Sequence, residues 1–170
     1  MYRHLLVPLD GSALSIGLVT QAVDFARSLD ARITFFTARE DLGASGDGAL
    51  LRSLEPQDYV EAAAGDASAI LAKALAAAGA FGIPCDAVAR TGPRPYELIL
   101  DVAAEQGCDL IFMASHGRKG LKALVLGSQT HKVLAHSTLP VLVASVESNV
   151  TGSAAEAAIA VIKDEHRAIA

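Results

Sequence analysis

The sequence predicts an α/β domain: a five-stranded, mostly parallel sheet with helices on both faces. Three observations predict it. Short apolar runs, too brief for helices, alternate with longer segments whose apolar residues recur at three- and four-residue steps. One of the short runs, DLIFMA at 109–114, is apolar almost throughout, as a central strand covered on both faces must be. Strands separated by helical segments form βαβ units, and such units build a parallel sheet wrapped on both sides.

The elements run in order along the chain. Residues 3–9 (RHLLVPL) form a first strand that ends in the turn Asp10-Gly11-Ser12, with Ser12 placed to cap the next segment. Residues 13–29 are helical, because Leu14, Leu18, Val19, Ala22, Phe25, Ala26 and Leu29 fall on one face. Residues 32–37 (RITFFT), rich in β-branched and aromatic side chains, form the second strand. Residues 39–57 hold three glycines, mixed charge and weak periodicity, and read as a long irregular connection of the kind used for lids and binding loops or left disordered. The alanine-dense stretch 59–82 is a helix with Leu71, Leu75 and Ala78 in register, stopped by Gly79 and Gly82. A third strand at 83–90 leads through TGPRP to an amphipathic helix at 96–107, then to the strand at 109–114. After a glycine-bearing loop come a short helix at 128–137 and a fifth strand at 139–146. The domain thus spans 1–146, and 147–170 is a tail that begins polar and turns Ala/Ile-rich, read as a short docking helix or a frayed end.

Composition narrows the function. A chain of 170 residues, 52% hydrophobic and 19% charged, buries one core and fits one domain. Its net charge of −5 carries no electrostatic footprint for nucleic acid or an anionic membrane, and no apolar run approaches a membrane span. Cys85 and Cys108 stand apart with no CxxC and read as free thiols of a reducing compartment, so a cytoplasmic protein is expected.

Ligands of open parallel sheets bind at the carboxyl ends of the strands, where the strand order reverses. That edge gathers Asp10, Gly11 and Ser12 after the first strand, Thr37 and Ala38 after the second, and the stretch ASHGRKGLKALVLGSQTHK at 114–132 after the fourth. Its glycines allow close approach of backbone N–H groups, Ser128 and Thr130 bring hydroxyls, and Ser128 opens a helix whose N-terminus carries about half a positive charge. An anion, most naturally a phosphate chain, suits such a site. Arg118, Lys119 and Lys122 add charge nearby, although a solvated basic turn is the plainer reading of all three. No GxxxxGK[ST] and no GxGxxG is present, which excludes the P-loop and the usual dinucleotide fingerprint. A phospho-accepting receiver domain needs an acid after the third strand and a lysine after the fifth, where this chain has Arg90-Thr91-Gly92 and Ser145.

The blocks HLLVPLDGS, TGPRPYELILDVAAEQGCDLIFMASHGRKGL and LGSQTHKVLAHSTLPVLVA, in that order, resemble the universal stress protein family, specifically its ATP-binding type, from residue 3 to about 144. The resemblance implies a Rossmann-like, adenine nucleotide alpha hydrolase-like fold and a homodimer paired through the last strand. The family's nucleotide motif G-x2-G-x9-G-[S/T] maps onto Ala114, Gly117, Gly127 and Ser128, with alanine in place of the first glycine. By this resemblance, Ala114 and Gly117 lie along the ribose and phosphates, and Gly127, Ser128, Gln129 and Thr130 hold the phosphate chain. Pro8, Asp10 and the backbone of Ala38 then border the base and sugar, and Asp10 approaches Mg²⁺ carried on ATP, ADP or AMP. Without the family, Asp10 reads as a turn former or helix cap. His131 and His136, five apart, make no metal pair, and His116 receives no catalytic role.

Two functional classes emerge: a nucleotide-binding stress sensor or regulator working through dimer or partner contacts, or a slow metal-dependent phosphohydrolase or nucleotidyl-transferring enzyme. A stress protein that acts through protein contacts without nucleotide is the third reading. A phosphate cradle without a convincing base favours binding over turnover, with weak ATP hydrolysis as the upper limit.

Overall fold

A computed structural model of the chain describes residues 1–40, 56–115, 126–146 and 159–162. The elements are β1 (His4–Pro8), α1 (Ala13–Leu29), β2 (Arg32–Glu40), α2 (Pro56–Gly79), β3 (Cys85–Gly92), α3 (Pro95–Glu105), β4 (Leu110–Ala114), α4 (Ser128–His136), β5 (Val141–Ala144) and β6 (Ile159–Ile162). They form one sheet in the order β3-β2-β1-β4-β5-β6. The first five strands are parallel, the doubly wound arrangement that βαβ units impose.

Period-two alternation along the strands sorts the side chains onto two faces. Leu5 and Val7, Ile33 and Phe35, Leu110 and Phe112, and Leu142 point to the face covered by α1 and α2. Leu6, Phe36, Ile111, Met113, Val141 and Val143 point to the face covered by α3 and α4. All of these are buried, so β1, β4 and β5 show the near-continuous apolar runs that double coverage requires.

The amino-terminal edge of the sheet is pinned by polar contacts. The Asp109 carboxylate accepts the backbone N–H groups of Arg3 and His4 at 2.8 and 2.9 Å, tying the start of β1 to the entry of β4. His4 Nε2 lies 2.8 Å from Thr34 Oγ1 in a buried contact between β1 and β2. Burial, reinforced by the Arg32 charge, holds the His4 imidazole below its ordinary range. Burial pushes the neighbouring Cys108 thiol up to about 11.

The structure extends and corrects several sequence expectations. β2 runs on to Glu40 and α2 starts at Pro56, so both intrude on the connection expected at 39–57; residues 41–55 of that connection lie outside the described residues. The fifth strand is shorter than 139–146 because Ser137 and Pro140 build the turn before it, with Ser137 Oγ donating to the Leu139 carbonyl. The larger correction concerns the tail. Residues Ile159–Ile162, expected as part of a short helix or frayed end, form a sixth strand antiparallel to β5. Local alanine content favours a helix, but four consecutive apolar residues beside an open strand edge gain more from the ladder. β5 is therefore an interior strand, and β6 is the edge on that side.

The chain leaving β5 is held against α1. Gln21 Nε2 donates to the Ser145 carbonyl at 3.4 Å. A Cβ placed on Gly17 would lie 2.5 Å from Val146 Cγ1, so a larger residue there requires the valine side chain to shift.

Candidate nucleotide site

The strand order reverses between β1 and β4: the chain proceeds outward from β1 to β2 and β3, then returns to β4 and continues to β5. The paired residues of β1 and β4 are Leu5↔Leu110 and Leu6↔Ile111. Beyond them β1 continues to pair with β2, through Val7↔Phe35 and Pro8↔Phe36. Pro8 has no N–H to offer a second neighbour. The two central strands thus part toward their carboxyl ends, giving the crevice in which such sheets take their ligands.

On one side of the crevice stands the turn from β1 to α1. Asp10 Oδ1 accepts three hydrogen bonds, from Ser12 N–H at 3.0 Å, Ser12 Oγ at 2.7 Å and Ser15 Oγ at 2.8 Å. Gly11 sits at φ +75, a left-handed conformation that glycine adopts without strain. Ser12 is the N-cap of α1, yet its side chain makes no cap bond, because its hydroxyl is given to Asp10. Thr37, buried within β2 next to Phe36, the partner of Pro8, donates its hydroxyl to the Leu9 carbonyl at 2.9 Å and locks the start of this turn to β2. Ala38 comes next, half-buried against the α3 side of the core.

On the other side, α4 begins directly above the end of β4. Gly127 N–H donates to the Ser115 carbonyl at 2.7 Å, and Thr130 Oγ1 donates to the Ala114 carbonyl at 2.9 Å. Gly127 is the N-cap, at φ −58 and ψ 145, and supplies no side-chain cap. Backbone N–H groups of a helix's first turn have no partner within the helix. Here those groups belong to Ser128, Gln129 and Thr130, at the positive end of the helix dipole. Ser128 is exposed, whereas Thr130 is 3% exposed. Gln129 Oε1 accepts the N–H of Tyr96 at 3.1 Å and so closes the first turn of α3, whose own N-cap Arg94 makes no side-chain cap bond.

The structure therefore brings Pro8, Asp10 and Ala38 together with Ala114, Gly127, Ser128, Gln129 and Thr130 at one sheet edge. Gly117, with Arg118, Lys119, Lys122 and His116, lies outside the described residues. Three of the expected ligand groups are committed to the protein itself: Asp10 Oδ1 to its turn, the Thr130 hydroxyl hydrogen to Ala114, and Gln129 Oε1 to α3. Sequence reasoning missed Ser15 and Tyr96 as supports of the site. The spacing DGSALS carried the signal for the first, since Ser12 and Ser15 lie one helical turn apart behind an aspartate. Nothing local connects Tyr96 to Gln129.

The chain is similar to known proteins in sequence and in fold. Universal stress protein YxiE of Bacillus subtilis is 29% identical over 147 residues, 84% of this chain and 99% of its own length. The solved structure of universal stress protein UspA from Lactobacillus plantarum is 25% identical, covers 84% of this chain and 97% of its own, and superposes with a TM-score of 0.71. Two further solved folds of this kind carry adenine nucleotides: a universal stress protein in complex with cAMP (23% identical, TM-score 0.61, covering 86% and 98%) and one from Archaeoglobus fulgidus in complex with dAMP (18%, 0.57, covering 84% and 97%). The model of the universal stress protein family matches residues 1–145, and this chain belongs to that family.

Proposed function

We propose that this chain binds an adenine nucleotide, ATP or its ADP and AMP relatives, in the crevice between β1 and β4, and works as a stress-response sensor or regulator by binding rather than turnover. The observation that carries this reading is the N-terminus of α4: a helix start without a side-chain cap, held over the end of β4 at the point where strand order reverses. Such an end offers oriented N–H donors and a positive dipole to a phosphate group. The cAMP and dAMP complexes of structural neighbours support the same ligand class.

In this reading Gly127 and the first turn of α4 hold the phosphates through backbone N–H groups, with the exposed Ser128 hydroxyl as the side-chain donor. Pro8 and Ala38 border the base and sugar, and Ala114 and Gly117 line the ribose and phosphates. The donor set fits an Mg²⁺ that arrives on the nucleotide, since Mg²⁺ keeps most of its waters and needs one carboxylate besides the phosphates. Asp10 is that carboxylate, and its Oδ1 also builds the β1–α1 turn. Among the described residues no cluster of three or more His, Cys, Asp or Glu could hold a metal by protein groups alone. Among them, too, no helix is long and apolar enough to cross a membrane. The regulator's output passes through contacts with a second copy or another protein in the cytoplasm.

The test is direct. Protein purified without added nucleotide is denatured and the supernatant analysed by chromatography, and the refolded chain is titrated with ATP and Mg²⁺ in a calorimeter. Bound or released adenine nucleotide is expected, and Gly127→Val should weaken binding at least tenfold with an unchanged circular dichroism spectrum. At φ −58 the valine meets no backbone strain, and a thermal melt of the variant separates the loss of a good N-cap from the blocked approach of the phosphates. An empty protein that gives no heat with ATP would sink the nucleotide reading, and rapid loss of bound ATP to ADP would move it to an enzyme.

A further inference from the structure

We propose that β6 is a displaceable guard on β5, occupying the strand edge through which a second copy of this chain would otherwise pair. The inference rests on the sheet and not on the nucleotide site.

Uncovered, β5 would be a template for association. Its four residues Val141, Leu142, Val143 and Ala144 are all buried and apolar, and an open edge of this kind presents a row of unpaired N–H and C=O groups. β6 satisfies that edge in the register Val141↔Ile162, Leu142↔Val161, Val143↔Ala160 and Ala144↔Ile159. The pairing is antiparallel in a sheet whose other pairs are parallel. Two copies of β5 related by a twofold axis across the sheet edge would also run antiparallel. To β5, then, β6 has the hydrogen-bonding sense of a twin's strand, delivered from its own chain.

The guard is also lightly held. It is four residues long, and β5 is its one neighbour in the sheet. Residues 145–158 separate the paired Ala144 and Ile159, more than the two to five residues of an ordinary hairpin loop, so closing this connection costs more entropy than a tight hairpin does. By contrast, the exit from β5 is firm: Ser145 is held by Gln21, and Val146 sits in the space left by Gly17. Displacement would therefore release β6 and leave β5 in place. Short strands held by one neighbour belong to the low end of local stability.

The experiment compares the full chain with Ala160→Pro/Val161→Pro, which removes two adjacent β6 N–H donors and so interrupts the ladder whichever of the two faces β5. Sedimentation equilibrium over a hundredfold concentration range should find the parent at the 17.5 kDa of one chain where the variant has twice that mass, with association at least tenfold tighter in the variant. Equal masses at every concentration, or a parent heavier than the variant, would overturn the proposal. A second variant does not depend on the prolines being tolerated. Ala144→Cys/Ile159→Cys places cysteines at opposite positions, whose Cα atoms lie about 4.5–5.5 Å apart in an antiparallel pair, within reach of a disulfide. Mild oxidation should cross-link within one chain and hold the protein at single-chain mass throughout the range. A cross-link between chains, or none, would refute the placement of the guard.

Discussion

Thr130→Val separates a structural hydroxyl from a ligand-binding one. The side chain is 3% exposed, and its hydroxyl donates to the Ala114 carbonyl at 2.9 Å, joining the first turn of α4 to the last residue of β4. Valine keeps the shape and the β-branch, so neither cavity nor new strain is introduced, and helix propensity barely changes. What is lost is one buried hydrogen bond, with an acceptor left behind; the bond contributes ~0.5–1.5 kcal/mol, and the orphaned acceptor raises the cost to ~1–2 kcal/mol. The new buried methyl offsets part of this, which favours the lower end. For a domain of this size that is a fall in Tm of roughly 2–6 °C, measurable by circular dichroism, with a matching drop in urea midpoint at constant m. Calorimetry with ATP supplies the discriminating number. If the hydroxyl hydrogen is spent on Ala114, affinity should stay within about threefold of the parent, since the Thr130 N–H survives, and Thr130→Ser should restore stability in part. Unchanged stability together with a tenfold loss of affinity would refute the reasoning, because the hydroxyl would then face the nucleotide.

Three further outcomes are expected. Gly11→Ala forces a Cβ onto φ +75 and should cost ~1–2 kcal/mol, seen as a lower Tm; an unchanged Tm would mean the β1–α1 turn is not set by this residue. His4 is held below its ordinary 6.5 by burial and then by Arg32, so as pH falls below 6.5 the unfolded chain takes up the proton first. Its contribution to stability is full above 6.5 and declines below it; urea midpoints of the parent and His4→Gln should converge between pH 7.5 and 5.5, and a gap that widens toward acid would contradict the sign. Cys108, with its thiol pushed up to about 11 and buried, should resist iodoacetamide at pH 8 until urea unfolds the chain, so mass spectrometry of the native protein should find any adduct at the half-buried Cys85.

Much of the fold was legible because strand and helix periods differ. Leu5, Val7 and Leu6 announce a doubly covered strand by simple alternation, and α1 announces its buried face through Leu18, Ala22 and Ala26. β6 was not legible, for the opposite reason: four residues in an alanine-rich tail carry no usable period, and what makes them a strand is the open edge of β5. The site divides the same way. Glycines, hydroxyls and a helix start can be read from 114–132, because they are local properties of backbone and side chain. Their partners cannot. That Thr130 turns inward to Ala114, and that Gln129 serves α3 through Tyr96, depends on where α3 and α4 meet in space.

Those inward commitments explain how the site can carry alanine where the family motif has its first glycine. A glycine is indispensable where φ is positive or where a Cβ blocks the ligand. Among the described non-glycine residues only Asp30 has a positive φ, so Ala114 keeps the ordinary dihedrals of the strand it ends. Its methyl follows the alternation of Leu110 and Phe112 and packs with the core beneath α1 and α2. The part of Ala114 that takes part in the site is its carbonyl, which anchors Thr130 and through it the start of α4. With Asp10 Oδ1, the Thr130 hydroxyl hydrogen and Gln129 Oε1 already engaged, what the described residues offer to the proposed anion is chiefly main chain, with the exposed Ser128 hydroxyl. Main-chain recognition of the kind proposed depends on how the helix end is held, and an alanine that leaves the carbonyl in place is compatible with it.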